Sequence, residues 1–112
     1  MELIKVKPLS VNVCWKGKRT KTDKYRGYER LLMYVLLPKM MYVPEGKLQI
    51  YLEFGFSNIG SDFDNPVKSF IDILQKKYGF NDNRIYKGII EKVKVKKGQE
   101  YIKFEITSYG NL

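Results

Sequence analysis

The chain has 112 residues, enough for one domain with a real core and too few for two. Lysine and arginine number 21 against 12 acidic residues, a formal charge of +9 that suits phosphate backbones or anionic lipid, with plain solubility as the bland alternative. The complete lack of histidine excludes His-ligated zinc, Ser-His triads, Cys-His dyads and histidine general bases together, and the single Cys14 excludes an internal disulfide.

A lone cysteine fits a reducing cytoplasm. The start, Met1-Glu2-Leu3-Ile4-Lys5, lacks the apolar core of a signal peptide. The longest apolar run, Leu31 to Leu37, is too short to cross a membrane.

Residues 2–7 read as a short strand ended by Pro8, and residues 9–21 as a polar, Lys-rich connection. A helix is predicted from Asp23 to Leu37, capped by Thr22 and stopped by Pro38, with Tyr25, Tyr28, Leu32 and Val35 along one face. The clearest strand follows Gly46: Leu48, Ile50, Leu52, Phe54 and Phe56 alternate with Gln49, Tyr51 and Glu53. The second helix has Asn65 as N-cap, Pro66 at its first position and Gly79 just past its end. Val67, Phe70, Ile71, Leu74 and Tyr78 form its apolar stripe. The last third reads as a hairpin, with Ile85, Ile89, Val93 and Val95 in one strand and Ile102, Phe104 and Ile106 in the next. Lys97-Gly98-Gln99 supplies the turn. The expected fold is one α+β (mixed α/β) domain over residues 1–112, with a mixed sheet of about four strands and two helices packed on it.

The acidic residues are unevenly placed. Four of the five aspartates, Asp62, Asp64, Asp72 and Asp82, fall between residues 62 and 82. In an extended segment Asp62 and Asp64 project the same way, and two carboxylates held that close repel. A bound Mg²⁺ or Mn²⁺ relieves that repulsion, since such ions prefer carboxylates and water. The alternative is a helix cap and a solvated neighbour. Lys68 and Asp72 follow Asp64 at successive four-residue steps, either as ordinary helix ion pairs or with Lys68 facing a phosphate. Asp82 is by default a turn residue. It completes a three-carboxylate site only if the following strand brings it to the same end of the sheet.

The string Asp62-x-Asp64-Asn65-x-x-Lys68-x-x-x-Asp72-x-Leu74, then Gly79 and Asn81-Asp82-Asn83-x-Ile85, resembles the signature of RusA-type Holliday junction resolvases. Pro8-x-Ser10-x-Asn12-x-x-Trp15, followed by Tyr25, is similar to that family's opening segment, so the resemblance covers nearly the whole chain. It implies a homodimeric, divalent-metal-dependent endonuclease of branched DNA, working in recombination and repair within a bacterial or phage-infected cell. It also implies metal-binding roles for Asp62, Asp64 and Asp82 and a catalytic role for Lys68, with Asn65 and Asp72 in support. Where the family often shows an acidic pair, this chain has Asn81-Asp82.

Within that frame the basic residues gain a use. Lys16, Lys18 and Arg19 belong to a dense group between residues 16 and 30, and Lys94 and Lys96 to another near the chain's end. Both groups suit tracking phosphates along a four-way junction, though lysines equally protect strand edges. Two other readings compete: a non-catalytic basic nucleic-acid-binding module of the same fold, and a nuclease of single-stranded or flap DNA.

Overall fold

The computed structural model describes residues 2–9, 15–16, 20–36, 43–58, 64 and 66–110, and for residues 15, 16 and 20 the backbone alone. Cys14, Lys18, Arg19, Pro38, Asp62 and Asn65 lie outside the described residues, as does the side chain of Lys16.

The centre of the sheet is β4 (Leu48–Phe56). Its alternation makes it so: Leu48, Ile50, Leu52, Phe54 and Phe56 are all buried on one face, while Gln49, Tyr51 and Glu53 are only partly covered on the other. A strand with a fully apolar face and long neighbours on both sides hides its backbone groups as well. Parallel to it runs β5 (Ile85–Lys94), and antiparallel on its other side runs β6 (Tyr101–Ser108). The short β1 (Glu2–Ile4) pairs with β6, giving the order β1-β6-β4-β5. This corrects the expected hairpin, because β5 and β6 are separated by β4. The turn itself exists, with Gly98 at φ 92° and the Gln99 amide donating to the Lys96 carbonyl at 2.9 Å. It sits in a connection long enough to straddle one strand, roughly 10 Å from one neighbour to the next but one.

Two helices cover the apolar face. Thr22 caps α1 (Asp23–Val35), its Oγ1 accepting from the Tyr25 amide at 3.2 Å. Its buried stripe is Tyr25, Tyr28, Leu32 and then Leu36 at the C-cap, whereas Val35 is 39% exposed. The helix therefore ends two residues before the expected Leu37, where Leu36 turns extended to reach the core. In α2 (Val67–Tyr78) Phe70, Ile73 and Leu74 are fully buried, and Val67, Ile71 and Tyr78 flank them. Gly79 closes it in the left-handed conformation (φ 71°) that a glycine adopts at no steric cost. Pro66 is the boundary residue rather than the first helical one. Phe70 joins the layers, edge-on to Phe54 (6.2 Å) and to Phe104 (5.4 Å). The polar connection before α1 holds a small ladder not expected from sequence, β2 (Trp15–Lys16) against β3 (Thr20–Lys21).

Candidate functional site

Because β4 and β5 are parallel, both end at one edge of the sheet, with Phe56 beside Lys94. That edge is pinned by the Val95 amide, which donates to the Phe56 carbonyl at 2.8 Å. Glu100 then ties the crossing connection down, accepting from Ser57 Oγ (2.6 Å) and from the Gly98 amide (2.9 Å). The Ser57 hydroxyl, foremost among these contacts, holds the Glu100 carboxyl below its usual range. Between the two strand ends opens a pocket of about 660 Å³, lined by Ser57, Lys94, Val95, Lys96, Lys97 and Gln99. Three ammonium groups on a short span make it an anion-attracting surface. Lys97 belongs to the same basic run as Lys94 and Lys96 in the sequence, whereas Ser57 was not singled out, because only the β4–β5 pairing brings it to them.

The same edge leads into the aspartates. Asp64 stands at the start of α2, its carbonyl accepting from the Val67 amide at 3.1 Å and its side chain exposed. Lys68, one turn on, is also exposed and lies 3.6 Å from Asp72. Of the expected ladder, that pair alone forms, since no ion pair joins Lys68 to Asp64.

Asp82 lies at the other end. It begins a single 3-10 turn (Asp82–Arg84), capped by Asn81 Oδ1 accepting from the Asn83 amide at 3.0 Å. The Asp82 amide donates to Gln75 Oε1 at 2.8 Å, near the last turn of α2. The strand that follows starts beside Leu48, the first residue of β4. With 12 residues in α2, its two ends are roughly 18 Å apart at 1.5 Å per residue. One chain therefore does not bring Asp82 to Asp64. Among the described residues no three acidic side chains gather as a metal-holding group, and Asp62 is outside them.

Of the first basic group, Lys21 is committed to Glu29 at 3.1 Å, and Arg26 stands 3.7 Å from Asp23. Burial pushes the Glu29 carboxyl up, but Lys21 and Lys76 together outweigh it and hold it below the usual range. Lys24 and Arg30 are exposed.

Sequence reasoning missed a polar cluster on the sheet face opposite the helices. Glu53, with its side chain 12% exposed, accepts from the Tyr51 hydroxyl at 2.6 Å and from the Tyr101 hydroxyl, and Lys103 approaches to 3.8 Å. The Tyr101 and Tyr51 hydrogen bonds, in that order, hold its carboxyl down. Burial and then Glu53 push the Tyr101 phenol up to about 12, so it remains a donor. A glycine at residue 55 makes room for this: a Cβ there would lie 2.5 Å from the Tyr101 ring. The only sequence signal was Gly55 within an otherwise ideal strand.

The sequence matches no protein-family model and no curated protein. Among the described residues, no helix is long and apolar enough to cross a membrane.

Proposed function

We propose that this protein is a divalent-metal-dependent endonuclease of branched DNA, with Asp62 and Asp64 as metal-holding carboxylates and Asp82 joining them from a second chain. What supports this is one coincidence of place: the lysine-framed pocket opens at the carboxyl end of β4 and β5, the end from which the chain enters the Asp62–Asp64 segment. In parallel β-α-β units that end is where ligands bind. The resemblance to RusA-type resolvases favours the same reading.

The roles follow from charge and placement. Lys94, Lys96 and Lys97 hold the phosphate backbone with little sequence preference. Lys68, exposed on the first turn of α2 and steadied by Asp72, is a donor to the scissile phosphate. A bound Mg²⁺ or Mn²⁺ supplies Lewis-acid stabilisation of the phosphate and an acidified water. The distance between Asp64 and Asp82 within one chain makes a homodimer part of the reading, and paired sites suit paired cuts in a two-fold junction.

Incubation with a synthetic four-way junction, with and without Mg²⁺, tests it. Paired nicks that require metal are expected. Binding without cleavage would favour the second reading, a non-catalytic nucleic-acid-binding module, which the separation of Asp64 from Asp82 favours and which needs only the lysines.

A further inference from the structure

We infer that β5 is the self-association surface of this chain, pairing antiparallel with β5 of a second copy about a two-fold axis at Ile89. Among the described residues β5 pairs with β4 alone, and no described strand lies beside its outer backbone N–H and C=O groups. It is the longest strand, with 10 residues, contains no proline, and exposes Ile89 and Tyr86. Long edges of this kind are either blunted or paired.

Its side chains are self-complementary in one register. Two-fold pairing centred on Ile89 sets Lys87 opposite the partner's Glu91, and Glu91 opposite the partner's Lys87. It places Ile89 against its own copy and Gly88 against the partner's Ile90. Moving the centre to Ile90 sets Ile89 against the partner's Glu91, and moving it to Gly88 sets Lys87 against the partner's Ile89. A centre between two residues is excluded, because directly opposed residues of an antiparallel pair must share a face. Opposite charges directly across a strand pair stabilise it, and like charges oppose it.

Glu91 meets the Tyr51 hydroxyl, but its register partner in β4 is Glu53, a like charge, and neither Glu91 nor Lys87 makes an ion pair among the described residues. Lys87, Ile89 and Glu91 share the face of Gln49, Tyr51 and Glu53, away from the helices, so the new contacts extend that polar face across both chains. The result is one continuous eight-stranded sheet. Its consequence for the carboxylates rests on the nuclease reading: antiparallel pairing turns the Asp82 end of one chain toward the end of the partner that carries Asp64.

Sedimentation of the protein alone at micromolar concentration tests the pairing: a monomer would count against this surface and the nuclease reading alike, whereas a dimer that ignores the β5 substitutions would overturn this surface and leave the nuclease reading to the junction assay. The wild type should be dimeric. Lys87→Glu and Glu91→Lys singly put like charges opposite each other and should weaken the dimer on the order of tenfold. The double variant, Lys87→Glu with Glu91→Lys, should restore it. Ile89→Cys in a Cys14→Ser background should oxidise to a covalent dimer, and Ile90→Cys should not. A monomeric wild type would return the β5 lysines to edge protection. Single reversals that leave the dimer intact, a double variant that stays weak, or cross-linking through Ile90→Cys would equally overturn the inference.

Discussion

Asp64 and Asp82 stand at opposite ends of α2, one accepting the first amide of the helix and the other donating to Gln75 near its last turn. A chain that uses both in one site must borrow one of them. With Asp64→Asn and Asp82→Asn each inactive alone, mixing the two proteins should regenerate activity, because a mixed dimer keeps one intact site. The regenerated dimer should nick one strand of a junction rather than two. A mixture as inactive as its components would place the whole site within one chain, or nowhere.

The lysine pocket should be read by salt. Lys94→Ala with Lys96→Ala should lower DNA affinity and flatten the dependence of log affinity on log salt, each lost phosphate contact reducing the slope by about 0.9. Filter binding across a salt series measures this. An unchanged slope would show that these lysines serve solubility.

Glu53 should matter to stability through its charge. Its folded carboxyl lies below the ordinary glutamate value of 4.5, so its stabilisation is complete above that value and is lost as pH falls through the lower folded pKa. Glu53→Gln should cost about 2 kcal/mol at neutral pH, the loss of charged hydrogen bonds to Tyr101 and Tyr51. Urea unfolding of both proteins should show that gap narrowing under acid conditions. A gap constant with pH would mean that shape, not charge, explains it.

Gly55→Ala drives a methyl into the Tyr101 ring and should cost roughly 1–3 kcal/mol. In a Tyr101→Ala background most of that cost should vanish, so a double-mutant cycle should show strong coupling. Additive effects would mean that the ring is free to move aside.

Much of this was legible in the chain. The alternation of β4 and the Gly79 terminus of α2 are local signals, and they read correctly because burial period and left-handed backbone are properties of neighbouring residues. The order of strands was not legible, since Ile102, Phe104 and Ile106 alternate in the same way whether their neighbour is β5 or β4. For the same reason the Tyr101–Glu53 contact stayed hidden, because it depends on the register that sets Tyr101 opposite Gly55. The Asp62–Asp64 spacing could be read as a pair, but its distance from Asp82 depended on whether α2 doubled the chain back between them.

The most direct measurement is cleavage of a four-way junction by carboxylate variants at matched DNA binding. Asp62→Asn and Asp64→Asn should each retain binding while losing cleavage by several kcal/mol of transition-state stabilisation, about a thousandfold or more. Asp72→Asn, which removes only the partner of Lys68, should lose far less. If Asp62→Asn or Asp64→Asn cuts the junction at the wild-type rate, the carboxylates hold no metal for this reaction and the nuclease reading is contradicted.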